Sequence, residues 1–367
     1  MKIKVDQNVL RKALGAVSRV AAGSKTTLPI LNNVLIKSVK NKVTFTTTNL
    51  DMAVVYYLPV SEAEDGDITI PARLLADFVS NLPKGQVQID LKNTKMTVSL
   101  DKYKSTFNGA LAEDFPELPE IDEKKAVKFK IGAEEFKTYI SEVMVASSND
   151  LTRPALTGVY FNVFENDLYI AATDGYRLVM RKFIKKVKSE VSAIIPSTSL
   201  AEVLRSLDDN VDEIELLFDE SQVKFRLGEI EITSKIIEGS FPDYRQLIPK
   251  DTDVRMDLDK GELLRVVKLA ALFAREVGGS IMCEAKKEEN IFTVAAIANE
   301  FGENVSEIKT EVNGDGKITL NSRYVLDALN TIEQDKIEFG FSGKLNPVVI
   351  KNQKSEDYVH IIMPLKS

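Results

Sequence analysis

The chain has 367 residues, 44% of them hydrophobic and 28% charged, a globular balance in a length that suits two or three cores better than one. Its formal net charge of −7 excludes a protein that holds nucleic acid by overall basicity, so contact with DNA requires locally gathered positive charge or a mechanism other than grip. The single Cys283 excludes an intramolecular disulfide, no apolar run reaches the ~18 residues of a membrane span, and the N-terminus has no signal-peptide core; the expected compartment is the cytoplasm.

In chain order, the first predicted helix begins near Asp6, with Leu10, Leu14 and Val17 at helical spacing. Period-two strands follow, as over residues 42–47, and Ile70-Pro71 then opens a second amphipathic helix. Strand character returns over residues 87–91. From near Ala133 the succession restarts: Phe136, Ile140 and Val143 mark a helix, residues 167–171 a strand, Ile195-Pro196 a helix start and residues 213–217 a strand. A third pass begins near Asp259, which forms a capping box with Glu262 ahead of the Leu263, Val267 and Ala270 face. Leu320-Asn321 starts its second helix, and residues 336–339 form a strand. The helix starts at 70, 195 and 320 are a constant 125 residues apart. Residues 113–119 (EDFPELP) are echoed by residues 239–249 (GSFPDYRQLIP), each closing a unit. The chain therefore reads as three α+β units, 1–124, 125–250 and 251–367, each of two helices and several strands. A threefold repeat alone is compatible with many functions.

Specific residues narrow it. Thr27-Leu28-Pro29-Ile30-Leu31, Ile70-Pro71-Ala72-Arg73, Ala172-Thr173-Asp174-Gly175-Tyr176-Arg177-Leu178, Thr233-Ser234-Lys235, Phe241-Pro242-Asp243-Tyr244-Arg245 and Met363-Pro364-Leu365 occur in that order. With the repeat and the length, this series resembles the beta subunit of bacterial DNA polymerase III, the replicative sliding-clamp family, over the whole chain. The resemblance implies the DNA-clamp fold: three tandem domains with two helices each packed on β-sheets, forming half of a closed ring. It also implies a head-to-tail homodimer with twelve helices lining a hole. Twelve helices at ~10 Å spacing make a circumference of about 120 Å and leave a hole of roughly 28 Å, wide enough for duplex DNA without gripping it.

Helices lining such a hole would turn polar faces to DNA. The candidate cations are Arg11, Lys12 and Arg19 in the first unit, Lys137 and Arg205 in the second, and Arg265, Lys268 and Arg275 in the third, with Lys25 and Arg73 beside them. Sequence-independent phosphate contacts of this kind permit sliding, and topology rather than affinity then retains the protein.

Similarity to the family places one seam edge at a late strand of the first unit, residues 95–107, with Lys95, Lys102, Lys104 and Phe107. The other edge carries Leu272, Phe273, Glu300, Glu303 and Glu307. The family also implies a hydrophobic cleft for linear peptides of the polymerase subunit, the clamp loader and other clamp-binding-motif proteins. The matching positions are Leu156, Thr173, Gly175, Tyr176, Arg177, Leu178, Pro242, Leu247, Pro347, Val348, Ile361, Met363, Pro364 and Leu365. Two positions depart from the family's habit: Gln246 stands where a basic residue is common, and the chain ends Lys366-Ser367 without an apolar terminus.

Enzyme chemistry has little to work with. His360 is the only histidine, expected in a strand at the surface or in a cleft, and no Cys/His zinc spacing, P-loop or GxGxxG motif is present. No cofactor, metal site or catalytic residue is expected. The alternatives are a non-replicative scaffold or a carboxylate-metal nucleic-acid enzyme on the same triplicated domain.

Overall fold

One order of elements, strand–helix–four strands–helix–three strands, runs through the chain three times in the computed structural model, which describes residues 1–22, 28–60, 63–118, 120–352 and 355–365. The first pass comprises β1 (Lys2–Asp6), α1 (Gln7–Ala22), β2 (Asn33–Val39), β3 (Lys42–Thr48), β4 (Met52–Leu58), β5 (Gly66–Pro71), α2 (Ala72–Ser80), β6 (Gln86–Lys92), β7 (Lys95–Leu100) and β8 (Tyr103–Asn108). In the second are β9 (Val127–Gly132), α3 (Ala133–Met144), β10 (Gly158–Phe164), β11 (Asp167–Thr173), β12 (Arg177–Ile184), β13 (Ser192–Pro196), α4 (Ser197–Ser206), β14 (Glu213–Phe218), β15 (Gln222–Leu227) and β16 (Ile230–Lys235). The third has β17 (Val254–Asp259), α5 (Lys260–Ala274), β18 (Ser280–Lys286), β19 (Ile291–Ala298), β20 (Gly302–Lys309), β21 (Gly316–Asn321), α6 (Ser322–Thr331), β22 (Lys336–Phe341), β23 (Val348–Asn352) and β24 (Ser355–Ile362).

Local chemistry accounts for the elements. In α1, Leu10, Leu14 and Val17 are buried while Arg11 and Lys12 are exposed, the division a one-sided helix requires. The Asp259 side chain accepts from the Glu262 backbone N–H at 2.8 Å and caps α5. Lys40 and Asn41 turn β2 into β3 with φ of 50° and 62°, and Glu165 and Asn166 turn β10 into β11 with 51° and 63°. Two consecutive left-handed residues match the right-handed twist of a tight hairpin.

The described chain divides into two compact units. Residues 1–133 and 198–236 hold a four-stranded sheet, β1-β6-β7-β8, and an eight-stranded sheet, β5-β2-β3-β4-β16-β15-β14-β9. Residues 134–197 and 237–367 hold an eight-stranded sheet, β13-β10-β11-β12-β24-β23-β22-β17, and a four-stranded sheet, β20-β19-β18-β21. The eight-stranded sheets repeat one another position by position: each joins the first half of one repeat to the second half of the next, through β4–β16 and β12–β24.

Two expectations need correcting. Residues 95–107 form a hairpin, β7 and β8, rather than one strand, because Asp101 takes φ 48° and reverses the chain. His360 is fully buried, neither at the surface nor in a cleft, because β24 is an interior strand in which His360 pairs with Val179 and Ile350.

Candidate functional site

The motif over residues 172–178 builds a rigid turn. The Thr173 hydroxyl donates to the Arg177 carbonyl at 2.6 Å and accepts from the Gly175 N–H at 3.0 Å. Asp174 Oδ1 accepts from the N–H groups of Tyr176 and Arg177 at 2.9 and 3.0 Å. Gly175 has φ +90°, which a side chain would resist. The Arg177 side chain is buried, donates to Asp174 at 3.1 Å and Asp327 at 2.6 Å, and lies 4.6 Å from the Tyr324 ring centroid. So occupied, Arg177 holds the turn and leaves Tyr176 64% exposed.

The end of the chain is tied to this turn: the Met363 N–H donates to the Tyr176 carbonyl and the Leu365 N–H to Thr319, both at 2.8 Å. Leu178 and Ile361 are buried in one apolar cluster with Ala171, Tyr244, Val349 and Val359, and Val348 and Leu156 are buried too. Phe241 stacks on Tyr160 with centroids 4.9 Å apart, and Tyr244 donates to Asn162 at 3.0 Å, which fixes the segment carrying Pro242 and Leu247. A cavity of about 290 Å³ opens beside Leu247 and Pro347. Leu247 and Met363 are exposed, and Pro347, Pro364 and Leu365 are half-buried. Gln246 donates to Asp243 at 2.6 Å; Lys366 and Ser367 lie outside the described residues. The result is a set of apolar side chains of mixed exposure on a firmly held backbone, beside a cavity that Gln246, Asp251, Thr252, Ser342 and Asn346 make largely polar.

The candidate cations divide into two sets. All nine within the described residues are exposed; Arg11, Arg73, Lys137, Arg265, Lys268 and Arg275 form the first set, and Lys12, Arg19 and Arg205, held by carboxylates, the second. Lys12 is bonded to Asp208, which raises the lysine's pKa and lowers the aspartate's. Arg19 donates to Glu202 at 2.7 Å and Ser206 at 3.0 Å, and Arg205 lies 3.6 Å from Glu202. Lys25 lies outside the described residues.

Of the seam residues, Lys104 and Phe107 lie on β8 and Glu303 and Glu307 on β20, while Lys95 starts β7, Lys102 and Glu300 precede β8 and β20 in their turns, and Leu272 and Phe273 lie on α5. β8 ends one four-stranded sheet and β20 ends the other. Lys95, Lys102 and Lys104 are exposed at the first, and Glu300, Glu303 and Glu307 at the second. Phe107 is buried in its own chain, edge-on to Phe78 at 5.5 Å, so it bears on an edge only through its backbone. Leu272 is 62% exposed and Phe273 half-buried. Sequence reasoning missed Leu269, Ile297, Phe301 and Val305, large apolar side chains exposed on α5, β19, β20 and the turn before β20. Their spacing fits neither a clean helix nor a clean strand face; only strand topology brings them together.

Cys283 and His360 are both buried. Burial pushes the Cys283 thiol up to about 12, and His360 is held down at about 3 by burial and by Arg177. Among the described residues, no three His, Cys, Asp or Glu side chains gather as a metal site, and no helix is long and apolar enough to cross a membrane.

Comparison with known proteins gives a consistent answer. Residues 1–119, 130–243 and 245–366 match the N-terminal, central and C-terminal domains of the DNA polymerase III beta subunit. A beta sliding clamp of Staphylococcus aureus is 29% identical over 360 residues, covering 95% of this chain and 94% of that protein. The crystal structure of a DNA polymerase sliding clamp from Bacillus subtilis superposes with a TM-score of 0.95 at 28% identity, over 100% of this chain and 99% of that one. A sliding clamp from Pseudomonas aeruginosa bound to griselimycin gives 0.94 at 26% identity, with 100% of both chains covered.

Proposed function

This chain belongs to the DNA polymerase III beta subunit family, and we propose that it is the sliding clamp that keeps a replicative polymerase on duplex DNA. One observation carries the proposal: three domain matches of a single family fall in order along a chain whose three passes share one element order. We place the domains at 1–124, 125–250 and 251–367, a division supported by the matched segments and by the restart of the element order at β9 and β17.

Two copies would join head to tail, β8 of one against β20 of the other. Both are terminal strands, and their exposed charges are of opposite sign. The closed ring surrounds DNA and meets phosphates through the exposed helical cations Arg11, Arg73, Lys137, Arg265, Lys268 and Arg275. Lys12, Arg19 and Arg205 contribute less, since carboxylates already hold them. The cleft around Tyr176, Leu247 and Met363 receives apolar segments of the polymerase, the clamp loader and other client proteins. We assign the chain no reaction and no cofactor, and place it in the cytoplasm with its clients.

The test compares the protein assembled on closed circular and on linear DNA, washed at about 1 M salt, where the Debye length falls to ~3 Å. Retention on circles with loss from linear DNA is the expected result. Equal loss from both would show that affinity, not topology, holds the protein.

A further inference from the structure

The compact unit of residues 1–133 and 198–236 holds a pocket that repeats the architecture of the Tyr176 turn with different chemistry. A cavity of about 290 Å³ lies where β3 turns into β4, lined by Leu50, Met52, Ala53, Pro116, Leu118 and Thr233 among others. Its volume is near the ~300 Å³ lower bound of ligand pockets. Five of its hydrogen bonds have counterparts in the Tyr176 turn. The Thr48 hydroxyl donates to the Met52 carbonyl at 2.9 Å and accepts from the Leu50 N–H at 3.0 Å, as Thr173 does with Arg177 and Gly175. Asn49 Oδ1 accepts from the N–H groups of Asp51 and Met52 at 3.1 and 2.8 Å, in the manner of Asp174. The Lys235 N–H donates to the Asp51 carbonyl at 2.9 Å, matching Met363 on Tyr176.

The side chains differ in one direction. Met52 replaces Arg177, which removes the buried charge and its two carboxylate partners. Leu50 replaces Gly175 and keeps φ +75°, a conformation that glycine or asparagine holds with less strain, while its side chain stays 44% exposed. An apolar side chain in both an unfavourable backbone conformation and water is explained by a ligand that covers it. The rim is acidic on balance: Asp51 and Glu117 line the opening, and Lys235, the only cation of the lining among the described residues, lies 3.8 Å from Asp51.

We infer that this pocket is a second peptide-docking site, for an extended segment of a partner protein that sets an apolar anchor between lysine or arginine residues. The class of ligand rests on the cleft reading above; the pocket, its exposed leucine and its rim charge stand apart from it. Apolar contact with Leu50 and Met52 supplies the affinity, and the acidic rim selects basic flanks.

The eight methionines include a reporter in each site, Met52 here and Met363 in the cleft. The full-length protein, labelled with carbon-13 at its methionine methyls, is titrated with the acetylated peptide Lys-Lys-Leu-Phe-Lys-Lys and with its Glu-Glu-Leu-Phe-Glu-Glu counterpart. The basic peptide is expected to shift the Met52 methyl saturably, and the acidic one to bind at least about tenfold more weakly. Leu50→Gly, which eases the backbone and leaves the other methyl signals in place, should weaken the basic peptide about tenfold at Met52. A Met52 response without one at Met363 would support the second site and count against the cleft. A response at Met363 alone, or a Met52 shift indifferent to Leu50→Gly and to peptide charge, would overturn the inference.

Discussion

Glu142 sits almost wholly buried in α3, and its Oε2 approaches Arg181 only to 3.5 Å, while the Arg181 guanidinium lies over the Tyr139 ring at 4.0 Å. Burial pushes the Glu142 carboxyl up to about 7, with Arg181 opposing and Glu333 adding to the rise. A carboxyl whose folded pKa exceeds its unfolded value binds more protons in the native state, so its contribution to stability falls as pH rises. The window runs from about 4.5 to about 7. His360 acts in the opposite sense: its folded value near 3 makes stability fall as pH drops below about 6.5. Comparing wild type with Glu142→Gln at each pH removes the His360 contribution. Relative to the variant, wild type should lose on the order of 3 kcal/mol of stability between pH 4.5 and pH 8. Urea unfolding of both proteins across that range checks it; a pH-independent difference would mean that the Glu142 carboxyl titrates in the folded protein as it does in the unfolded chain.

At the scale of elements, α5 carries Arg265, Lys268 and Leu272 on one helix whose start depends on a single cap. Asp259→Ala leaves the Glu262 N–H without its acceptor and should cost about 1 kcal/mol, whereas Asp259→Asn should cost less, as thermal unfolding can read. This cap was legible in sequence, as were the six helices, because helical periodicity and capping are local. α2, α4 and α6 begin at residues 72, 197 and 322, keeping the 125-residue step. Two kinds of feature were not legible. The β7–β8 hairpin turns on Asp101 and Lys102, which carry no Asn-Gly or Gly signal. The pairing of β4 with β16 and of β12 with β24 joins residues more than 170 apart, and no local pattern encodes it. That pairing buries His360 and assembles the Tyr176 turn with Met363, so the motif residues were visible but their partners were not. Lys12 and Arg19 read as free cations for the same reason: their carboxylates, Asp208 and Glu202, lie on and just after α4.

For the whole molecule, the exposed apolar groups at the β20 edge weigh more than its charges. An exposed ion pair contributes about 0–1 kcal/mol, whereas covering a large apolar side chain contributes roughly 1.5–3 kcal/mol. Leu272 and Phe301, at 62% and 64% exposed, therefore dominate the proposed seam, with Glu303 and Glu307 setting orientation against Lys102 and Lys104. Leu272→Asp should weaken self-association by at least about tenfold while the monomer folds normally, since the side chain already faces solvent. Phe107→Ala should behave differently: Phe107 is buried against Phe78, so its loss should lower stability by about 3–5 kcal/mol and affect assembly only through the weakened β8. Lys104→Glu should slow association at low salt and matter little at high salt, because screening removes a peripheral charge first. Sedimentation equilibrium with the three variants separates these effects. A dimer unchanged by Leu272→Asp would place the subunit contact elsewhere on the chain.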